Sequence, residues 1–294
     1  MIAFLEPLKT HWPQIQIGLG GACLVLFAVG ASLKKVRAIA LNTLREELRK
    51  KILYFLVLFG ILFIAASGAV SRVQPGREGE AVAQMGLFAV GLFGMLVAVF
   101  SATTALFSEI KSRTIFLLFS HPIWSFHIIL GKFLGLVGIV FVSVALMGTG
   151  LVVYFALTPW WELTGKVALG VMLIFFQLLM LIALCILGST FLSRITNILI
   201  SLVLFFVGTG HAFFQDMTDM MKVAVMRYYI LTFLFVLPNF QKFSLPAKAF
   251  SGEVSLDATV VLSTVGDSLL RSAVMVALGI LFFRVKEVGT ERWE

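Results

Sequence analysis

The stretch SEIKSRTIFLLFSHPIWSFHIILGKF, Ser108–Phe133, decides how the rest of this chain is read. It lies between two long apolar runs and opens with charge. It is apolar through Ile115–Phe119, breaks at His121-Pro122, and re-enters apolar sequence at Gly131-Lys132. As a helix, Ser108–Ser120 reaches only about 20 Å at roughly 1.5 Å per residue, short of a hydrocarbon core about 30 Å thick. The spacing predicts a short helix lying on one membrane face. Consecutive apolar residues there need cover on more than one side: lipid supplies one, and a partner protein is the natural candidate for the other.

The whole chain supports a membrane setting. Of its 294 residues 60% are hydrophobic and 13% charged, against about half and about a quarter in soluble domains. This is the composition of an all-α, polytopic transmembrane bundle. Cys23 and Cys185 both fall within apolar runs, which argues against a disulfide framework. The four histidines (His11, His121, His127, His211) do not cluster with Cys or acids at metal-ligand spacing, so no metal is expected.

The first apolar run, Ile15–Leu33, is uncharged and followed by basic residues, as expected of a retained span rather than a cleaved signal. Lys34–Lys51 (KKVRAIALNTLREELRKK) is too charged for lipid. Leu41, Leu44, Leu48 and Ile52 recur at helical spacing, away from Arg45, Glu46, Arg49 and Lys50. Glu46/Lys50 and Glu47/Lys51 stand at i,i+4. These features predict an amphipathic helix on the membrane surface, with a solvated basic linker as the plainer alternative.

Further spans are expected at Ile52–Ala69, Met85–Phe107, Phe133–Leu157, Val167–Leu192, Ile195–Phe214 and Ser268–Phe283, seven with the first. Within 215–265, Tyr228–Leu237 is apolar for only about 15 Å of helix, and extending it would bury Arg227, so it reads as re-entrant. The chain accordingly divides into an extra span (1–33), a surface helix (34–51) and a core (52–294). With 34–51 in the cytoplasm, fourteen of the 23 Lys and Arg fall on that side, and the whole +8 net charge with them. The N-terminus is thus expected outside and the C-terminus inside. Topology accounts for the basic balance, and nucleic-acid binding needs no part in it.

Asp and Glu are expected to be missing from every span, Asp267 being placed at the edge of the last one beside Arg271. That disfavours a self-powered carrier. There is no GxxxxGK[ST], HExxH or GxSxG, so the chain is read as lacking an ATP site or hydrolase centre of its own. Gln177, Asn197 and His211 are the polar residues at midplane depth. Interhelical hydrogen bonding is their expected role, and substrate contact is the alternative. The Gly131/Gly135/Gly138 row is assigned to close helix packing.

At these residues the chain resembles the type-2 ABC-transporter permeases, bacterial exporter membrane subunits. Thr43-Leu44-Arg45-Glu46 with Arg49 and Lys51 is similar to that family's amphipathic lead-in helix. Glu109, Arg113, Thr114, Leu118, Ser120, Pro122 and Gly131-Lys132 match the spacing of its E-x-x-x-R-T…L-x-S-x-P…G-K segment. Leu237-Pro238-Asn239 is similar to its outer re-entrant region, and Phe282–Lys286 to its exit into a basic tail. Ser125 stands where the family often has an arginine, and Ile15–Leu33 lies outside its six-span core.

The resemblance implies a multi-pass permease subunit of the bacterial inner membrane, with 108–122 as the coupling helix. Glu109, Arg113, Thr114, Leu117, Leu118, Ser120 and Pro122 would contact a separate ATPase subunit, and Arg45 and Glu46 would brace the lead-in helix. ATP and Mg would sit on that partner, no cofactor on this chain, and a second permease subunit would complete a homo- or heterodimer. A non-transporting membrane scaffold is the alternative. An integral-membrane enzyme is a third reading, with no active-site cluster to support it.

Overall fold

The computed structural model describes residues 6–68, 77–111, 125–210, 240–244 and 257–290. Among them the chain is helical, with no strand. Eight α-helices follow in order: α1 (Glu6–Ser32), α2 (Lys34–Leu48), α3 (Lys51–Ser67), α4 (Glu78–Lys111), α5 (Ser125–Leu157), α6 (Thr164–Ser189), α7 (Arg194–Thr209) and α8 (Ala258–Thr290). Short 3-10 turns occupy Trp161–Leu163 and Phe240–Ser244.

Helix α6 is the hub. It is apolar on nearly every face, and Leu173, Leu178, Leu181, Ile182 and Cys185 are fully enclosed, as a helix without a polar side must be. Around it pack α4, α5, α7 and α8; α3 lies outside on α4 and α5, α2 lies across α5, and α1 runs along α8. The outward rows of α3 (Phe55, Leu58, Phe59, Leu62) and α7 (Ile195, Leu199, Val203, Phe206) are large, apolar and exposed. Such rows suit a bilayer rather than water.

Among the described residues, four helical stretches are long and apolar enough to cross a membrane: Glu78–Ala105, Phe126–Leu157, Trp161–Ser189 and Ala258–Arg284. The pair α2–α3, bent by 68°, counts as a fifth if taken as one broken span. Within α1 and α7 the qualifying apolar stretches are shorter, Gln16–Val25 and Arg194–Thr209. Four helices, or five with the bent pair, are therefore able to span a membrane by length and composition. Tyr228–Leu237 and His211 lie outside the described residues.

The last span differs from expectation. It starts near Ala258 rather than Ser268, because Ala258–Gly266 (ATVVLSTVG) is apolar enough to continue the helix upstream. Asp267 therefore lies inside a membrane-length helix and is only 5% exposed. The expectation that no carboxylate enters a span is corrected by this helix.

The expected helix forms over Lys34–Leu48, and it turns Val36, Thr43 and Glu47 inward beside part of the leucine row. Those three are buried, whereas Leu41 and Ile52 are exposed. The leucine row splits: Leu44 and Leu48 are half-buried against the core, Leu44 beside Gly138 of the α5 glycine row, while Leu41 stays exposed. A β-carbon on Gly135 would stand 2.7 Å from the Ala40 carbonyl oxygen and from Thr43 Cβ, and one on Gly131 would stand 2.8 Å from Ile39 Cβ. With only hydrogen there, the α2 backbone settles directly onto α5.

Candidate functional site

Most of the residues expected to meet a partner fall outside the description. Arg113, Thr114, Leu117, Leu118, Ser120 and Pro122 lie within 112–124, beyond the described residues, and Glu109 is described only as backbone in the final turn of α4. The frame around that segment is defined. Lys132 is 3% exposed, and its Nζ donates to the Ala105 carbonyl of α4. Lys132 thus ties α4 to α5, the two helices that flank the segment. An ammonium buried this deeply needs such an acceptor.

The other expected site residues, Arg45 and Glu46, are exposed on α2, with Glu46 at the rim of a cavity of about 760 Å³. This cavity opens at the elbow between α2 and α3. Its walls are Leu53 and Leu56 of α3 and Val97, Phe100 and Phe107 of α4, and Arg194 enters from the first residue of α7. Extended backbone at Lys50 (φ −76°, ψ 119°) separates the two helices and makes the elbow.

Glu47, 1% exposed, forms an ion pair with Lys50 rather than with Lys51 as the i,i+4 spacing suggested. Lys50 Nζ also donates to Thr104 Oγ1 at 3.2 Å, so one ammonium ties α2 to α4 across the cavity. Burial pushes the Glu47 carboxyl above its ordinary 4.5, against the opposing pull of Lys50 and a hydrogen bond from Ser101. Sequence reading did not bring Glu47, Lys50, Thr104 and Arg194 together. The available signal was Glu47 standing four residues after Thr43, on the face that meets the glycine row.

A second polar node lies inside the bundle. Asp267 Oδ1 accepts from Gln16 Nε2 of α1 at 3.0 Å and from Arg271 Nε at 3.1 Å. Its Oδ2 accepts from Lys242 Nζ at 3.2 Å. Two cations and an amide on one carboxylate satisfy a charge that could not otherwise stay buried. The expected Asp267–Arg271 pair is present, and Gln16 and Lys242 join it.

Asn197, expected to bond between helices, does so: Nδ2 donates to the Cys185 carbonyl and to Ser189 Oγ of α6, both at 2.9 Å. Gln177 lines a smaller cavity of about 310 Å³ with Gln84, Thr209, Phe205, Phe240 and Phe243. The two cavities occupy opposite ends of α4 and α7, since Val97–Phe107 and Arg194 line the larger one while Gln84–Leu92 and Phe205–Thr209 line the smaller.

No protein-family model matches this chain, and no curated protein matches its sequence.

Proposed function

We propose that this chain is the membrane permease subunit of an ATP-driven exporter resembling the type-2 ABC systems, drawing its energy from a separate ATPase. The observation that carries this reading is the elbow. A charged surface helix turns by 68° into an apolar one, and its buried face rests on the α5 glycine row. Lys132 ties together α4 and α5, which flank residues 112–124, and a firm frame of that kind suits force transmitted from outside the bundle. Two cavities at opposite ends of the α4–α7 pair suit a subunit that alternates access between two faces.

In this reading the bundle has seven spans, α1 being additional to a six-span core. The N-terminus is outside and the C-terminus in the cytoplasm of a bacterial inner membrane. Glu109, Arg113, Thr114, Leu117, Leu118, Ser120 and Pro122 contact the ATPase subunit, which holds ATP and Mg. Arg45 and Glu46 brace the surface helix, and a second permease subunit covers exposed apolar rows such as those of α3 and α7.

The test is affinity capture of the tagged chain from its own membranes. An ATP hydrolase co-purifies with the wild type, and Arg113→Glu combined with Leu118→Asp abolishes that while the chain still inserts. Complexes that never contain a hydrolase, or a double variant that retains it, overturn the assignment.

A further inference from the structure

The larger cavity has a composition that a transport role alone does not explain. Its lining is apolar at Leu53, Leu56, Val97, Phe100 and Phe107, and also carries two acids and two bases: Glu46, Glu47, Lys50 and Arg194. Glu47 and Lys50 neutralise one another, and Lys50 is further held by Thr104. The carboxylate of Glu46 and the guanidinium of Arg194 remain. Among the described residues neither has an ion-pair partner, and they come from different elements, α2 and α7. Among the described residues the lining thus offers one unpaired negative and one unpaired positive group beside apolar walls. At about 760 Å³ the space lies within the range of about 300–1,000 Å³ typical of small-molecule sites.

We propose that this cavity binds a zwitterionic phospholipid of the surrounding bilayer whose headgroup ends in a primary ammonium. Arg194 receives the phosphate, Glu46 the ammonium, and the acyl chains run along Leu53, Leu56 and Phe100. Charge complementarity selects the headgroup. A singly anionic lipid satisfies Arg194 but leaves the Glu46 carboxylate facing uncompensated negative charge. A quaternary ammonium balances the charge but has no N–H to donate to Glu46. The sequence around the cavity favours a membrane lipid over a soluble amphiphile, because the elbow turns a charged helix into an apolar one, the change of polarity that a bilayer interface demands. The inference goes beyond the exporter reading and needs no ATPase.

The experiment uses the full chain, without any ATPase, reconstituted in an equimolar mixture of phosphatidylethanolamine, phosphatidylcholine and phosphatidylglycerol. The chain is then extracted in mild detergent, and the retained lipid is identified by mass. Phosphatidylethanolamine is expected to be enriched about tenfold over each of the others, the factor that 1.4 kcal/mol represents. Glu46→Gln and Arg194→Gln each bring the enrichment close to unity, while Lys166→Gln, at the start of α6, leaves it unchanged.

Glu46→Lys is the sharper variant, because it keeps a binding site while reversing its selectivity toward phosphatidylglycerol. Equal retention of the three lipids, as expected if another part of this chain or a second copy fills the cavity, overturns the proposal. So does a Glu46→Lys variant with unchanged preference. Failure to capture an ATP hydrolase would remove the exporter reading and leave this result standing, so the two are separable.

Discussion

Gly20 of α1 and Gly266 of α8 meet so closely that a β-carbon on Gly20 would stand 2.4 Å from the Gly266 Cα. The reverse is equally tight, since a β-carbon on Gly266 would lie 2.3 Å from the Gln16 carbonyl oxygen. The side chain of Gln16 then reaches Asp267, the residue after Gly266. Backbone proximity and a buried polar bond together hold the additional helix onto the bundle.

Gly20→Leu should therefore push α1 off α8. Overpacking of this kind costs about 1–3 kcal/mol, read as a lower thermal midpoint of the purified chain in detergent. Gly21→Leu is the matched control, because a β-carbon there meets nothing within 4 Å. Equal effects from both substitutions would show that the close approach is not what holds α1.

Asp267→Asn tests the buried node. It keeps the shape but removes the charge that Lys242 and Arg271 face, and both cations are partly open to solvent, at 38% and 31% side-chain exposure. With that screening the expected loss is about 1–3 kcal/mol. A double-mutant cycle with Lys242→Gln should return a positive coupling. Strict additivity would mean that the 3.2 Å contact contributes nothing.

Gly135→Leu should lift α2 from α5, where Ala40 and Thr43 leave no room for a side chain. The expected readout is faster trypsin cleavage at Arg49–Lys51, the basic run at the elbow. Gly150→Leu, where a β-carbon meets nothing within 4 Å, should cleave at the wild-type rate.

The Glu47 carboxyl gives a pH dependence with a defined sign. Burial raises its folded-state value above the ordinary 4.5, so the folded chain binds that proton more tightly than the unfolded chain does. The resulting stabilisation is fully present below pH 4.5 and is lost as pH rises through the raised folded value. Thermal midpoints measured from acid toward neutral pH should fall more steeply for the wild type than for Glu47→Gln. Parallel curves would assign the slope to other groups.

Much of the membrane character was open to reading from composition and periodicity. The uncharged runs Met85–Phe107, Phe133–Leu157 and Val167–Leu192 read as membrane-length helices, and the described helices cover the first two in full and the third as far as Ser189. Asn197 was legible for the same reason, because a lone amide among apolar neighbours must find an acceptor. The break between α2 and α3 was also visible, as a change from charged to apolar sequence at Lys51-Ile52.

The amino-acid order thus determined helical type, the approximate places of the long apolar helices and a separate charged helix before α3, all of which follow from local hydropathy and a period of 3.6. Tertiary structure alone decided which face of α2 turned inward, because the glycines that admit it lie about ninety residues away on α5. It also decided that Asp267 is buried and that Glu46 and Arg194 line one cavity. Each depends on contacts between segments far apart in the chain, and one-dimensional periodicity carries no record of those.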